Sequence, residues 1–257
     1  RLYFLAREGQ LIQRVFDTWT NGRTEVPTSH YLVLSRRAVS VPMLASMDDL
    51  RHIARATFYP NRIDGFLTER FGLQLPAERW AQLEARTGWP AERTVSVFDQ
   101  QIEPLLPLLT ELQEDIRQQA ERERQTLVDY LDQMSCRQAG QQAVVDVGYG
   151  ATIQDYLNRL TQAPMHGYYL MTNQTAHQVG ARHGVLTRGC LAEDVVPGAP
   201  QAPALYRYSF ELEKLLSSKD AQLLCYERDA TGRLVARHRT LSAEELDSAP
   251  WREKLQE

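Results

Sequence analysis

Val144-Val145-Asp146-Val147-Gly148-Tyr149-Gly150-Ala151-Thr152 is the stretch of sequence that decides the fold. Its apolar residues predict a buried strand that delivers the carboxylate of Asp146 at its carboxyl end. Two glycines then allow a close backbone turn, and Thr152 opens a helix. Exposed N–H groups at such a turn and at the helix N-terminus form a site suited to an anion. The stretch therefore predicts an α/β fold with a ligand site at a strand end.

Two further apolar runs, in the N-terminal part of the chain, are also followed directly by charged residues. The apolar run at residues 2–6 ends at Arg7-Glu8-Gly9, and a helical pattern covers residues 10–19. A second apolar run at residues 31–34 ends at Ser35-Arg36-Arg37. Two strands joined through a helix predict a parallel βαβ unit.

The remaining pattern predicts an α/β core interrupted by a helical insert. We expect residues 1–45 and 138–257 to form the core, with a mainly parallel sheet, and residues 46–137 to form the helical insert or cap. After the glycine-containing turn, residues 167–171 predict a strand and residues 188–204 a loop. Residues 223–226 and 234–236 predict a terminal hairpin.

Composition excludes several classes of protein. The 257 residues are 43% hydrophobic and 24% charged, which excludes wholesale disorder, and no apolar run is long enough to span a membrane. A net charge of −4 argues against a nucleic-acid partner. Three widely separated cysteines are typical of reduced thiols in a cytoplasmic protein. Because the chain begins at Arg1, we expect it to be part of a longer polypeptide.

Three ligand classes compete for the turn after Asp146. A nicotinamide site requires GxGxxG, and Ile153 stands where its third glycine belongs. A methyltransferase loop of the form DxGxGxG fits better but has Thr152 in place of its last glycine. A phosphoribosyl-diphosphate loop has an acidic strand end, small residues and a threonine, as here, although such loops usually carry two adjacent acids.

The arginines at the other strand ends favour a phosphorylated ligand. Guanidinium groups are bidentate donors that match phosphate geometry. Arg7, Arg36 and Arg37 follow two neighbouring strands, so we expect them to converge on a polyanion such as a diphosphate.

Three blocks together resemble a known family: residues 5–9, residues 34–38 and residues 145–154. They are similar to conserved blocks of bacterial surface-polysaccharide proteins in which a HAD-type phosphatase domain precedes this region. The region resembles a type I phosphoribosyltransferase-like module, which uses phosphoribosyl diphosphate to build ribofuranosyl units of glycans. Glu8 stands where the family commonly has Asp.

The resemblance implies a role for each residue of the three blocks. The backbone amides of the turn residues Gly148, Tyr149, Gly150, Ala151 and Thr152, with the Thr152 hydroxyl, would hold the ribose 5-phosphate, and Asp146 the ribose hydroxyls. The diphosphate would be bound by Arg7, Arg36 and Arg37. Gly9, Ser35 and Gln154 would be further substrate-binding residues. Glu8 and Asp146 would hold Mg²⁺, and either Glu8 or Glu213 would accept the proton of the attacking hydroxyl.

The resemblance also implies partners and a location. The acceptor would be a saccharide, carried on a lipid-linked glycan, and the product a β-linked phosphoribofuranosyl unit. Phosphatase and glycosyltransferase domains would lie on the same polypeptide, in the cytoplasm at the inner face of the membrane. Two alternatives stay open: an S-adenosylmethionine-dependent methyltransferase that uses the same turn, and a non-catalytic domain that binds carbohydrate or docks a neighbouring domain.

Overall fold

The computed structural model describes residues 1–256 of the chain. The strands, in chain order, are β1 (Leu2–Leu5), β2 (Ser29–Leu32), β3 (Phe58–Arg62), β4 (Thr94–Val97), β5 (Ala143–Asp146), β6 (His166–Asn173), β7 (Thr187–Val195), β8 (Leu223–Arg228) and β9 (Leu234–His238). The helices are α1 (Gly9–Thr20), α2 (Arg36–Ser40), α3 (Met47–Ala54), α4 (Ile63–Phe71), α5 (Ala77–Thr87), α6 (Leu106–Glu111), α7 (Gln113–Gln133), α8 (Thr152–Thr161), α9 (Gln174–His183), α10 (Ala204–Arg207), α11 (Ser209–Leu216) and α12 (Ala243–Gln256).

A parallel sheet in the order β2-β1-β5-β6-β7 organises the chain, which confirms the predicted fold class. Its central strands carry side chains that are buried on both faces, such as Phe4 and Leu5 in β1. Strands of that kind appear as continuous apolar runs in the sequence, which is why β1 and β5 could be predicted. Phe4 pairs with Tyr31 of β2 on one side and with Val145 of β5 on the other.

The strand order creates a switch point between β1 and β5. The chain leaves β1 for β2 on one side, and later returns to place β5 on the other side of β1. In open parallel sheets, connections that diverge in this way leave a crevice at the carboxyl ends of the two strands, where ligands bind. The residues that leave β1 and β5 here are Arg7, Glu8 and the turn after Asp146.

The chain divides into two compact units. The first contains residues 1–36, 128–223 and 238–257, and the second contains residues 37–127 and 224–237. The predicted boundaries at residues 45 and 138 therefore differ from those of the compact units. Residues 224–237 belong to the second unit although they follow the sheet in the sequence.

The second unit has an apolar core of its own. Helices α3, α4 and α6 bury aromatic and aliphatic side chains together, among them Leu50, Phe66, Phe71 and Leu109. The unit also contains an antiparallel pair, β3 and β4, that the helical prediction missed. Only Phe58 is buried in β3, whose sequence includes Pro60, so the alternation expected of a strand is absent.

Two predictions for the C-terminal part have different outcomes. The hairpin at residues 223–236 is confirmed, since β8 and β9 form a two-stranded sheet. The loop predicted at residues 188–204 is wrong over its first half, because β7 pairs there with β6 at the sheet edge. Within β7 only Val195 is fully buried, so backbone pairing forms this strand without an apolar signal.

The second unit contains a buried ion pair between Arg37 and Glu123. The two guanidinium nitrogens of Arg37 lie 2.5 and 2.9 Å from the two carboxylate oxygens of Glu123. Arg37 also donates to the backbone oxygen of Leu224, and Gln119 donates to Glu123. Both charged side chains are at least 91% buried, so each needs the other's charge.

Removing one member of this pair should strongly destabilise the protein. We expect Glu123→Ala to lower the free energy of unfolding by about 3 to 5 kcal/mol, since it leaves the Arg37 charge buried without its partner. Denaturant titration measures the change. The control Glu121→Ala, on the exposed face of the same helix, should change it by less than about 0.5 kcal/mol. Equal effects of the two variants would contradict the assignment.

Candidate functional site

A cavity of about 250 Å³ lies at the carboxyl ends of β1 and β2. We call it the strand-end cavity. All of its lining residues belong to the first unit. Its lining comes from the segments after β1 and β2, from α8 and α11, and from the residues around β8 and β9: Ala6, Arg7, Glu8, Tyr31, Val33, Leu34, Ser35, Arg36, Ile153, Glu213, Asp220, Ala221, Gln222, Leu223 and His238.

Five of the predicted site residues line this cavity: Arg7, Glu8, Ser35, Arg36 and Glu213. They come from three places in the sequence. Arg7, Glu8, Ser35 and Arg36 meet because the parallel strands β1 and β2 end at the same edge of the sheet, and α11 adds Glu213. The strand-end cavity thus combines two guanidinium groups with carboxylates, a composition that suits a phosphorylated ligand with hydroxyl groups.

Asp146 lies beside the strand-end cavity, at the end of β5. One oxygen of its carboxylate accepts a hydrogen bond from the backbone N–H of Val147 at 2.8 Å. Burial raises the pKa of Asp146 well above its ordinary value, and the neighbouring carboxylates of Glu8 and Glu213 raise it further. Arg36 opposes that shift. The ionised form of the Asp146 carboxylate is therefore destabilised unless a cation or a hydrogen-bond donor lies beside it.

Glu213, on α11, is in a similar electrostatic environment. Burial and the Glu8 carboxylate raise its pKa, while Arg7 and Arg36 lower it. Within residues 1–256 we find no hydrogen bond to the Glu213 carboxylate. Glu8, Asp146 and Glu213 thus form a cluster, which we call the carboxylate cluster.

Glu8 is the member of the carboxylate cluster that the protein holds most firmly. One carboxylate oxygen accepts a hydrogen bond from the Ser217 hydroxyl at 2.5 Å, and the other accepts from the Arg7 N–H at 3.1 Å. The Arg7 side chain lies 3.3 Å from a carboxylate oxygen of Glu245. Glu8 and Arg7 are therefore positioned before any ligand binds.

The turn after Asp146 is closely packed against β6. The backbone oxygens of Val147 and Tyr149 accept hydrogen bonds from the N–H groups of Met171 and Asn173. A Cβ atom on Gly148 would lie 2.8 Å from the backbone oxygen of Met171, so only glycine fits there. The peptide bonds Gly148–Tyr149 and Ala6–Arg7 are cis.

The turn ends where α8 begins. Ala151 precedes the helix in the left-handed conformation with φ of 54°, and no side chain caps the helix. The first N–H groups of α8 thus keep their capacity to bind an anion. Ile153, in this first turn, lines the strand-end cavity, which places the helix N-terminus at the cavity wall.

The side chain of Tyr149 packs against α10. Its ring lies against Tyr206 with centroids 5.1 Å apart, and Asn173 donates to the Tyr206 hydroxyl. Burial and nearby Glu213 raise the pKa of Tyr149. Its side chain therefore supports the turn from the side of α10.

Three predicted binding residues have structural contacts instead. Gln154 is fully buried, donates to the backbone oxygens of Met165 and Leu186, and accepts from Tyr169. Gly9 allows α1 to approach β1, since a Cβ there would lie 2.7 Å from a backbone carbon of Phe4.

The third of these residues is Arg37. It is buried in its pair with Glu123 in the second unit, so the predicted contact of Arg37 with diphosphate is wrong.

The Ser35 hydroxyl has a structural contact as well. Ser35 lines the strand-end cavity, but its hydroxyl donates to the backbone oxygen of Leu223 at 2.7 Å. The bond ties the segment after β2 to the start of β8. Ser35 thus shapes the cavity wall.

Sequence reasoning missed four polar residues of the cavity: Tyr31, Asp220, Gln222 and His238. None of them lies in a recognisable motif. Tyr31 is within β2, Asp220 and Gln222 lie just before β8, and His238 is the last residue of β9. Only the fold brings them to the strand ends.

The carboxylate cluster does not by itself form a metal cage. Among residues 1–256 there is no group of three or more His, Cys, Asp or Glu side chains placed to hold a metal ion. Mg²⁺ is commonly held by one or two carboxylates together with the phosphates of a substrate. Asp146 and Glu8 match that kind of donor set.

Comparison of the chain with models of protein families finds no match, and comparison with curated proteins finds none either. No helix within residues 1–256 combines the length and apolar character that crossing a membrane requires.

Replacing the Asp146 carboxylate should stabilise the protein near neutral pH. The pKa of the Asp146 carboxyl is higher in the folded protein than in the unfolded chain. Such a group lowers the free energy of unfolding as the pH rises from the pKa of the unfolded chain through the pKa of the folded protein. We therefore expect Asp146→Asn to be more stable than the wild type near pH 7. That advantage should disappear as pH falls toward about 4, the ordinary pKa of aspartate.

Thermal unfolding of both proteins across this pH range measures the effect. The control Asp247→Asn, at an exposed position on α12, should show no such pH-dependent gain. A loss of stability in Asp146→Asn at neutral pH would contradict the assigned electrostatics.

Proposed function

We propose that this chain is a phosphoribosyltransferase that transfers 5-phosphoribofuranose from phosphoribosyl diphosphate to a saccharide acceptor. One observation carries the proposal: Arg7, Arg36 and the carboxylate cluster meet at the switch point of the sheet, beside the glycine-containing turn. The donor carries phosphates at both ends of a hydroxyl-bearing ring, and the site offers a matching group for each part.

The two phosphate-bearing ends of the donor would bind to different groups. Arg7 and Arg36 line the cavity and would pair with the diphosphate through charged hydrogen bonds. The 5-phosphate would accept hydrogen bonds from the N–H groups between Gly148 and Thr152, where no capping side chain competes.

The carboxylate cluster would bind the ribose and its cation. Asp146 accepts hydrogen bonds from the ribose hydroxyls, and Asp146 with Glu8 would hold Mg²⁺. When bound, Mg²⁺ neutralises charge on the departing diphosphate. A positive charge here would also relieve the repulsion that raises the pKa of Asp146.

The chemistry is an exchange of one C–O bond for another. The bond between the anomeric carbon and the diphosphate breaks, and the electron pair leaves with the diphosphate. An acceptor hydroxyl attacks the opposite face, which gives a β-linkage. We assign Glu213 to accept the proton of that hydroxyl, because Glu213 lines the cavity and its raised pKa suits a general base.

The donor should stabilise the folded protein. We expect phosphoribosyl diphosphate with Mg²⁺ to raise the free energy of unfolding by about 2.7 kcal/mol at a donor concentration of 100 times Kd. A thermal-shift assay measures the effect. A shift with S-adenosylmethionine instead would replace the proposal by a methyltransferase, and no shift with either ligand would favour a non-catalytic docking domain.

Two substitutions should abolish transfer without unfolding the protein. Arg36→Ala removes a diphosphate ligand and Asp146→Asn removes a ribose and cation ligand, so we expect activity to fall at least about 100-fold in each. Activity is measured by mass spectrometry, as addition of a phosphopentose to members of a panel of saccharides. The control Arg14→Ala changes an exposed arginine on α1 and should leave activity unchanged. Full activity in Arg36→Ala would refute the site.

A further inference from the structure

Two groups of polar side chains line the strand-end cavity. The first group, Arg7, Glu8, Arg36 and Glu213, is assigned above to the donor and its cation. The second group, Tyr31, Asp220, Gln222 and His238, comes from β2 and from the residues around β8 and β9. We call the parts of the cavity that these groups line its first end and its second end. The donor groups assigned above leave the second end without a ligand.

The wall at the second end is firmly attached to the strand ends. Ser217 donates to the Glu8 carboxylate, and the N–H of Ser218 donates to the backbone oxygen of Arg7 at 3.2 Å. The Ser35 hydroxyl donates to the backbone oxygen of Leu223 at 2.7 Å, and the N–H of Arg239 donates to the backbone oxygen of Gln222 at 3.0 Å. Residues 217–223 are thus held in place on both sides, so the second end is preorganised.

The side chains at the second end suit an uncharged ligand with hydroxyl groups. They are the Tyr31 phenol, the Asp220 carboxylate, the Gln222 amide and the His238 imidazole. Together they offer hydrogen-bond donors and acceptors, of which sugar hydroxyls can use both. The carboxylates of Asp220 and Glu8 would repel an acidic ligand.

We propose that this end of the strand-end cavity, formed by Tyr31, Asp220, Gln222 and His238, is a binding site for a neutral saccharide. The inference deepens the proposed function and rests on it for the role of that saccharide as acceptor. A sugar bound here would present a hydroxyl toward Glu8 and the first end, where the anomeric carbon of the donor would lie. Asp220 and His238 would then select the acceptor.

Saturation-transfer NMR with methyl glycosides tests the site directly. The probes are the methyl glycosides of glucose, galactose, mannose and N-acetylglucosamine, with methyl glucuronide as the acidic comparison. We expect at least one neutral glycoside to bind the wild-type protein and methyl glucuronide to give no signal. Asp220→Ala and His238→Ala should each weaken that binding by about tenfold, since each removes a hydrogen-bonding partner. Asp247→Ala is the matched control and should leave binding unchanged.

Donor binding is measured in the same variants by thermal shift with phosphoribosyl diphosphate and Mg²⁺. An unchanged donor shift in Asp220→Ala, together with loss of glycoside binding, supports both proposals. If glycoside binding depends on Asp220 but the wild type does not bind the donor, the saccharide site stands and the proposed transferase fails. If the donor binds but no neutral glycoside does, or if Asp220→Ala and His238→Ala bind glycosides like the wild type, the saccharide site is overturned.

Discussion

Repulsion among three carboxylates that share a partly buried space is the constraint on which the rest of this site depends. Glu8 leaves β1, Asp146 ends β5, and Glu213 comes from α11, and burial together with mutual repulsion raises the pKa values of Asp146 and Glu213. Such an arrangement destabilises the free protein. The fold sustains it through an apolar sheet core and through hydrogen bonds that hold Glu8 in place. Functional sites commonly carry an energetic cost of this kind, because the groups that bind a ligand are not satisfied without it.

The two arginines of the cavity narrow the class of ligand that we propose for the carboxylate cluster. Carboxylates alone would indicate a cation site, and arginines alone a phosphate site. Arg7 and Arg36 face the same cavity as Glu8 and Glu213, and the N-terminus of α8 adjoins it through Ile153. A ligand that satisfies all of these groups bears phosphates, hydroxyls and a bound cation. Phosphoribosyl diphosphate with Mg²⁺ has these features, and this match supports the proposed function.

The sequence predicted the features that depend on local pattern and missed those that depend on distant partners. Apolar runs and glycines marked β1, β5 and the turn after Asp146. The edge strand β7 has no such run, since its pairing with β6 is through the backbone. Arg36 and Arg37 show the limit most clearly: they are adjacent and identical in type, yet Arg36 lines the cavity and Arg37 is buried against Glu123, 86 residues away. Nothing near them in the sequence distinguishes the two. Tyr31, Asp220 and His238 likewise join the site only through the fold.

We propose that the carboxylate cluster binds a phosphorylated sugar together with a cation. The most direct test of this proposal is the titration of the Asp146 carboxyl by ¹³C NMR, without ligand and with phosphoribosyl diphosphate and Mg²⁺, using Asp146→Asn to assign the resonance. We expect a pKa well above the ordinary value in the free protein, and we expect that pKa to fall when the donor and Mg²⁺ bind. An ordinary pKa in the free protein, or a raised pKa that does not respond to the donor with Mg²⁺, would contradict it.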